Sequence, residues 1–334
     1  MSEQKIAVLG CGIWGRNIVR NFYNLNALGM VCDLDEENLA KVREQYPNVK
    51  TTKDFNDILN SKEITGVVVV TPSHTHYKFV KAMLEAGKHV YVEKPISTVA
   101  QEARDLTDLA DAKGLILMVG HLLLYHPAVN KLKMLVEDGV LGDIVYAQSD
   151  RLNINYFKND RSVMWDLAPH DVSMISYVLG KNPKRVISAI GCSSDGNDIM
   201  DITHIGIQME GGAIAHITDS WITPRKHVQL LVRGTKATAI LDDTVPDHKL
   251  TIYDNFKAGT IENVQMEDYL EIEPLKLECQ HFINCCNTGQ KARSDGENGF
   301  IVVSILEEAE KIMLGDRAKN LDNFDFALSR SKKI

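Results

Sequence analysis

Short apolar stretches alternate with amphipathic ones over the first third of the chain. Apolar runs occupy residues 5–9, 28–32, 66–70, 89–92 and 115–119, and the run 66–70 is a glycine followed by four valines. A continuous apolar run of this kind is typical of a strand buried on both faces of a parallel sheet. The stretches between the runs carry apolar residues at helical spacing. Strands separated by helices predict a doubly wound parallel sheet of the Rossmann type.

The pattern changes after residue 120, where strands begin to follow one another. Helical spacing covers 128–137 and 170–179, and strand patterns cover 143–153, 186–190, 202–208, 213–220, 227–232 and 238–241. Gly211-Gly212 is a hairpin-turn signal between two of these strands. Two helical stretches, 274–287 and 297–314, follow. We predict an α/β protein with a Rossmann domain over 1–121 and a second α/β domain with a mostly antiparallel sheet over 122–334, and a late helix at 296–314 that packs back on the Rossmann domain.

Length, charge and cysteine content narrow the class of protein. A chain of 334 residues predicts two domains, and a net charge of −8 without a block of Lys or Arg argues against nucleic-acid binding. Its apolar runs fall short of the roughly 18 residues that would span a membrane, and residues 1–5 carry no signal-peptide pattern. The six cysteines lack a disulfide rhythm. We therefore expect a cytoplasmic protein without a membrane or nucleic-acid partner.

A cluster of cysteines and one histidine late in the chain suggests a metal site as one hypothesis. It contains Cys279, His281, Cys285 and Cys286. On a helix, however, Cys279 and Cys286 share an apolar face with Phe282, while His281 and Cys285 point elsewhere. Buried structural cysteines are the better interpretation, and we predict no bound metal.

A glycine fingerprint follows the first predicted strand. Gly10, Gly12 and Gly15 permit a tight turn, a close backbone approach to a pyrophosphate, and close packing of helix on strand. The helix that starts near Ile13 and Trp14 offers unpaired N–H groups to the phosphates. These five residues are the predicted pyrophosphate-binding turn.

An acidic residue ends the second predicted strand. Asp33 lies eighteen residues after Gly15 and is a candidate to bind the adenosine ribose hydroxyls. Its charge would repel a 2′-phosphate, and no arginine occurs in the four residues that follow. The fingerprint and Asp33 together predict NAD as the cofactor, in preference to NADP.

Further candidates follow the next two strands of the predicted sheet. Thr71 and Pro72 end one strand and are expected to line the cofactor site, whereas His76 either faces the cofactor or lies on the surface of a helix. Glu93-Lys94-Pro95 ends the other strand at the carboxyl edge, where such sheets bind ligands. Pro95 restrains Lys94 to an extended conformation, and near the positive ring of the cofactor the pKa of this lysine would fall.

An acid and an imidazole lie four residues apart in Trp165-Asp166-Leu167-Ala168-Pro169-His170-Asp171. If a helix begins near Asp166, then Asp166 and His170 share one face, and Pro169 falls in the first turn, where proline is tolerated. Histidine is suited to proton transfer near neutral pH. On the residues alone, helix capping is the more common role of such a pair.

The order and spacing of these motifs resemble the Gfo/Idh/MocA family of NAD(P)-dependent oxidoreductases over nearly the whole chain. The matching features are the glycine fingerprint, Thr71-Pro72 with His76, Glu93-Lys94-Pro95, Gly120-His121, Asp166 with His170, and the late helix. The resemblance implies a second domain with a large open-faced sheet. It also implies that Lys94, Asp166 and His170 are catalytic, and that Glu93 and His121 adjoin the cofactor.

A second set of motifs comprises Gly120-His121, Tyr125-His126-Pro127, Arg151-Leu152-Asn153, Trp165 with Pro169-His170-Asp171, and Ser220-Trp221. Within the family, these motifs most resemble nucleotide-sugar 3-dehydrogenases that act on UDP-N-acetylglucosamine or its uronic acid. The family pattern often has an arginine and a phenylalanine before Pro127, where this chain has Leu124, Tyr125 and His126. Tyr125 is therefore either a replacement contact to the substrate or a core residue. The other substrate-binding candidates, besides Lys94, Asp166 and His170, are Arg151, Asn153, Arg161 and Trp165. The candidate cations for the diphosphate of a UDP-sugar are Arg151, Lys158, Arg161, Arg225 and Lys226.

Three functions are consistent with these features. The first is oxidation of a sugar hydroxyl to a ketone, at C3 of a UDP-N-acetylglucosamine-type sugar, with either Lys94 or His170 as the base. The second is a dehydrogenase of a free cyclitol or aldose, similar to an inositol dehydrogenase. The third is a non-catalytic NAD-binding regulator, which does not require Lys94 and His170. An exposed sheet face would favour a homodimer or homotetramer.

Overall fold

The computed structural model describes residues 4–154, 162–194, 199–257 and 260–330, with backbone only for 255–257, 260–262 and 316–330. The chain divides into two compact units. The first comprises Met1–Pro127 and Leu270–Val303, and the second comprises Ala128–Tyr269 and Ser304–Ile334. Residues 270–303 therefore belong to the same unit as the Rossmann sheet, and the chain from residue 304 returns to the second unit.

The first unit contains, among its described residues, a six-stranded parallel sheet in the order β3-β2-β1-β4-β5-β6. The strands are β1 Ile6–Leu9, β2 Leu28–Cys32, β3 Lys50–Thr52, β4 Gly66–Val69, β5 His89–Val92 and β6 Leu117–Val119. The crossover helices are α1 Gly15–Asn24, α2 Glu36–Gln45, α3 Asn56–Asn60, α4 His76–Glu85 and α5 Ala100–Lys113. The predicted doubly wound sheet is confirmed. The sequence did not predict β3, which is three residues long.

The second unit contains, within the part of the chain that is described, an eight-stranded sheet in the order β14-β13-β12-β11-β7-β10-β9-β8. The strands are β7 Ile144–Ile154, β8 Pro183–Cys192, β9 Ile202–Met209, β10 Ile214–Ser220, β11 Ile222–Gly234, β12 Ala237–Asp242, β13 Leu250–Lys257 and β14 Thr260–Glu267. Neighbouring strands are antiparallel except for the parallel pair β7 and β10. The predicted, mostly antiparallel sheet is confirmed, and it extends further than the sequence indicated.

Helices cover one face of this second sheet. Helix α6 spans Pro127–Glu137, and helix α7 spans Val163–Leu179 and contacts β7, β9 and β10. Along β10 the side chains of Ala215, Ile217 and Asp219 are buried at every second position, which identifies the face under α7. The alternation of buried and exposed side chains along β10 therefore places Asp219 in the core.

Two further helices end the described chain. These are α8 Pro274–Thr288 and α9 Gly296–Arg330. In α8, the ring of Phe282 packs edge-on against the rings of Phe22 and Tyr91 of the Rossmann unit. At the start of α9, the Arg104 guanidinium lies 3.9 Å from the centre of the Phe300 ring. Apolar packing therefore explains why 270–303 belongs to the first unit. None of the helices in the described residues combines the length and apolar character that crossing a bilayer requires.

Candidate active site

Two glycines in the turn after β1 are required for steric reasons by the fold of the chain. Gly10 has φ +96°, and a Cβ at this position would lie 2.6 Å from the Val70 carbonyl oxygen. A Cβ at Gly15 would clash with the Gly10 carbonyl oxygen. Both glycines therefore let the turn close on β4, independently of any ligand.

Gly12 differs from its neighbours because no protein atom lies within 4 Å of the Cβ it lacks. The chain tolerates a side chain there, so the space above this peptide is available to a ligand that approaches the backbone. Trp14 occupies the cap position of α1, which begins at Gly15 rather than near Ile13 as predicted. The Ile13 side chain is 85% exposed. This open backbone turn fits a dinucleotide pyrophosphate.

Asp33 is fixed beside the same turn. Its Oδ2 accepts a hydrogen bond from the Cys11 backbone N–H at 2.6 Å, and its Oδ1 accepts one from the Asp35 N–H at 2.8 Å. Burial and the nearby Asp33 charge raise the pKa of the Cys11 thiol to about 12, so this cysteine stays protonated. The structure therefore holds an anionic carboxylate at the position where the sequence predicts a ribose contact.

His76 has a structural setting that neither sequence interpretation described. It is buried, with Nδ1 2.7 Å from the Pro95 carbonyl oxygen and Nε2 2.7 Å from the Thr71 carbonyl oxygen. Both ring nitrogens are thus engaged with backbone carbonyls, so neither is available to hydrogen-bond a cofactor. Thr71, half-buried, pairs its hydroxyl with that of Thr75, and Pro72 is exposed. His76 joins the ends of two neighbouring strand segments.

Glu93 connects the glycine turn with the lysine segment. Its Oε1 accepts a hydrogen bond from the Trp14 indole N–H at 2.6 Å. Burial raises the pKa of Glu93, although the Trp14 hydrogen bond and the positive charge of Lys94 act in the opposite direction. A Cβ at Gly120 would lie 2.9 Å from Glu93 Oε2, so the glycine admits this carboxylate. The Lys94–Pro95 peptide is cis.

His121 is a buried imidazole whose two nitrogens have no hydrogen-bond partner among the described residues. Burial and the positive charge of Lys94 lower the pKa of His121 to about 3, so the ring is neutral. An unpaired buried polar group costs free energy unless a ligand or water satisfies it. His121 beside Lys94 therefore fits the polar end of a bound cofactor or substrate.

Glu278 of α8 is a buried acid of the first unit that the sequence reasoning missed. Neither of its carboxylate oxygens has a hydrogen-bond partner among the described residues. Burial and the nearby Glu93 charge raise the pKa of Glu278 well above its usual range. Tyr91, which reaches Glu93 at 3.5 Å, lies beside both acids. Glu278 is thus a buried acid next to Tyr91 of β5, the strand that Lys94 follows.

In the second unit, Asp166 and His170 lie four residues apart on α7. The helix begins at Val163 after Ser162, three residues earlier than expected. Pro169 is therefore inside the helix, where it has no N–H to donate to the Trp165 carbonyl. Both Asp166 and His170 are half-buried. The pair shares a helix face, as the spacing predicts.

Several predicted substrate contacts lie in the protein interior. Tyr125 is buried, and its hydroxyl lies 3.1 Å from the Ser294 hydroxyl. Trp165 is also buried and donates its indole N–H to Glu310 at 2.8 Å. The position of Tyr125 agrees with the core alternative, and the indole N–H of Trp165 is already bonded within the second unit. Asn153 is half-buried on β7, and Lys158 and Arg161 lie outside the described residues.

Arg151 is engaged internally, contrary to its predicted role at a diphosphate. Its Nε and Nη2 donate to the two oxygens of Asp171 at 3.1 and 3.0 Å. Asp171 is fully buried, and the Arg151 side chain is only 16% exposed. A guanidinium that neutralises a buried carboxylate is not available to a substrate. The alternation of β10 was the sequence signal that could have found the charged cluster around Asp171.

Two family models match this chain. One, described as an oxidoreductase family with an NAD-binding Rossmann fold, covers residues 4–121, and the GFO/IDH/MocA C-terminal domain covers residues 129–240. UDP-N-acetylglucosamine 3-dehydrogenase of Acidithiobacillus ferrooxidans is 25% identical over 91% of this chain and 95% of its own length. The NAD(+)-dependent scyllo-inositol 2-dehydrogenase of Bacillus subtilis is 23% identical over 86% of this chain and 87% of its own.

The fold also agrees with a solved structure. That of UDP-N-acetylglucosamine 3-dehydrogenase GnnA from Acidithiobacillus ferrooxidans superposes with a TM-score of 0.82 at 23% identity, over 94% of this chain and 98% of the other. At this identity the superposition shows the fold. Together with the two family models and the open glycine turn, it leads to one conclusion. The chain belongs to the Gfo/Idh/MocA family of oxidoreductases, and its first unit contains the NAD-binding Rossmann fold of that family.

Proposed function

We propose that the chain oxidises a hydroxyl of a sugar to a ketone, with C3 of a UDP-N-acetylglucosamine-type nucleotide sugar as the substrate position. The observation that carries this proposal is the lysine at the carboxyl end of β5, beside the buried, unpartnered imidazole of His121. The Acidithiobacillus ferrooxidans relative, which aligns over 91% of the chain, supports the choice of substrate.

The proposed catalytic residues, Lys94, His170 and Asp166, have different roles in the reaction. When bound, NAD supplies an acceptor for the hydride that leaves the substrate carbon. The Lys94 ammonium donates a hydrogen bond to the substrate oxygen and stabilises its developing negative charge. His170 accepts the hydroxyl proton, and Asp166, four residues earlier on α7, orients the imidazole. Gly12 and Asp33 hold the pyrophosphate and the ribose.

A free cyclitol or aldose is the second candidate substrate, and one observation favours it. A UDP-sugar needs cations near its diphosphate, and Arg151, one of the candidates from the sequence, is paired with Asp171. Arg225 and Lys226 on β11 are exposed and remain as candidates. A substrate without a diphosphate does not require them. The scyllo-inositol 2-dehydrogenase of Bacillus subtilis is a relative with such a substrate in its name.

A substrate panel separates the two candidates. The protein with NAD is incubated with UDP-N-acetylglucosamine, its uronic acid, inositols and free aldoses, and reduction of NAD is followed by absorbance. We expect turnover with the nucleotide sugars, and a rise in their KM when Arg225 and Lys226 are both replaced by alanine. Turnover with inositol or an aldose alone would establish the second candidate, and turnover with none of the panel would contradict both.

Replacement of the two proposed catalytic residues tests the mechanism. His170→Ala is expected to lower kcat by about 10²–10⁴-fold with NAD affinity nearly unchanged, because general base catalysis contributes about that much. Lys94→Ala should be at least as damaging. If both act in one step, the double variant loses much less than the product of the single losses. His204→Ala, at an exposed position on β9, is the control and should keep full activity.

A further inference from the structure

A row of polar side chains crosses the covered face of the second sheet. Asp219 of β10 is paired in register with Arg151 of β7 on one side and with Thr203 of β9 on the other. Asp171 of α7 lies above the row and is bound by Arg151. Asp171, Asp219 and Thr203 are each 0% exposed. The row is therefore a buried charge cluster directly under α7, and we call it the α7 cluster.

The donors of the α7 cluster serve one of its two acids. Asp171 receives Arg151 through both carboxylate oxygens, and the Ser149 hydroxyl donates to its Oδ1 at 2.6 Å. In contrast, neither oxygen of Asp219 has a hydrogen-bond partner among the described residues. One guanidinium can neutralise one carboxylate. An ionised Asp219 would therefore be an uncompensated buried charge, which is among the most costly arrangements in a protein.

A proton on Asp219 removes this cost. Asp171 is a charged neighbour of Asp219, and two neighbouring carboxyl groups can share a hydrogen bond only if one of them is protonated. The groups that face Asp219 are Asp166 and Asp171 on α7, Arg151 on β7 and the hydroxyl of Thr203 on β9. Burial and the charge of Asp171 raise the pKa of Asp219 well above its usual range, whereas Arg151 acts in the opposite direction.

We propose that Asp219 is a positioning residue for α7: it keeps a proton at neutral pH and donates it to Asp171, so that Asp219, Arg151 and Ser149 together fix the helix turn that carries Asp166 and His170. Asp171 directly follows His170 in the chain, and the Ser173 hydroxyl donates to the His170 carbonyl at 3.0 Å. The backbone at His170 is thus held on one side by this hydrogen bond and on the other by the bonds of Asp171. The link to catalysis rests on the proposed function of His170.

The pH dependence of unfolding tests whether Asp219 carries a proton, without any activity measurement. Asp219 is ionised in the unfolded chain above about pH 5, because its pKa there is about 3.9. The raised pKa keeps it protonated in the folded protein up to a higher pH. Unfolding then releases one proton, so the unfolding constant of the wild type rises about tenfold per pH unit relative to that of Asp219→Asn. Denaturant unfolding of both proteins over this range measures the ratio. A ratio that does not change with pH would overturn the proposal.

Asp201 offers a matched control in the same unit. It is also buried, but it accepts hydrogen bonds from the Ser194 N–H at 2.6 Å and from the Trp221 indole N–H at 2.7 Å. Burial acts to raise the pKa of Asp201, but these hydrogen bonds outweigh it and lower the pKa. Asp201 is then ionised in both states across the same pH range. The unfolding constant of Asp201→Asn relative to wild type should be offset by a constant factor.

The positioning role is tested separately through kinetics. Asp219→Asn keeps a donor for Asp171, so kcat at neutral pH should stay within about threefold of the wild type. Asp219→Leu has a similar volume but no donor, and should lower kcat by about tenfold or more with NAD affinity unchanged. Equal kcat in both variants would contradict the positioning role. A wild-type protein that oxidises no compound of the sugar panel would instead contradict the proposed function and leave the proton count intact.

Discussion

The glycine turn and the α7 cluster hold their acidic residues in different ways. At the turn, backbone N–H groups bind Asp33 and the outer surface is exposed. Under α7, charged side chains bind one another in the interior. Asp33 accepts from two backbone N–H groups, and the adjoining Ile13 is 85% exposed. Asp171 and Asp219 are each 0% exposed. The first arrangement leaves space and charge for a ligand. In the α7 cluster the charged groups are buried and bind one another, so the cluster can position a helix but does not bind a substrate.

The largest effect on stability is expected from breaking the α7 cluster at its cation. Arg151→Met leaves the buried Asp171 without a counter-charge, and removal of one partner from a buried ion pair costs about 3–5 kcal/mol. Denaturant unfolding at neutral pH measures this loss. Arg151→Lys, which keeps the charge but not the two-pronged contact, should lose less. A loss below about 1 kcal/mol for Arg151→Met would show that the interior tolerates the unpaired acid.

Two alanine variants in the glycine turn are expected to differ: one should lower stability, and the other should lower the affinity for NAD. Gly15→Ala forces a Cβ against the Gly10 carbonyl and should lower the free energy of unfolding by about 1–3 kcal/mol. Gly12→Ala meets no atom within 4 Å, so stability should be unchanged. Its methyl group fills the space over the backbone, and NAD affinity should fall about tenfold, or about 1.4 kcal/mol. Calorimetry on both variants tests the distinction, which fails if Gly12→Ala binds NAD as well as the wild type.

These expectations indicate what the sequence could and could not determine. The positions of the glycine turn, of Asp33 beside it and of the strand ends were predictable, because they depend on backbone conformation near one sheet edge. The buried ion pair of Arg151 was not predictable, because its partner Asp171 lies on another element and only tertiary packing brings the two side chains together. An arginine pattern alone cannot distinguish a substrate cation from a buried one.

The elements missed in the fold have a similar explanation. Strand β14, Thr260–Glu267, has few apolar side chains and is paired along its length with β13. The strand β3 pairs with β2 through only three residues. Backbone hydrogen bonding to a neighbour, rather than a hydrophobic pattern, defines both edge strands. Sequence periodicity identifies the strands that bury a face and misses those that do not.

A change at Asp33 is expected to affect binding rather than folding. Asp33→Asn removes the negative charge beside the turn and weakens the contact to the ribose hydroxyls, so the Kd for NAD should rise about tenfold. The Kd for NADP should rise less or fall, because the repulsion of a 2′-phosphate is removed. Asp35→Asn is the control, since Asp35 caps α2 by accepting from the Glu37 N–H at 2.9 Å. Parallel losses for NAD and NADP would show that the charge does not select the cofactor.

The smallest effect is expected from an ion pair at the surface, which completes the comparison with Arg151. Lys50 Nζ lies 3.1 Å from Glu63 Oε2, as close as the buried contacts of Arg151, but the two side chains are 66% and 75% exposed. Water solvates each charge when the other is removed, so Lys50→Met should change the free energy of unfolding by less than about 0.5 kcal/mol. The same unfolding measurement applies to both methionine variants. If Lys50→Met cost as much as Arg151→Met, distance rather than burial would govern the strength of these pairs, and the argument for a neutral Asp219 would lose its physical basis.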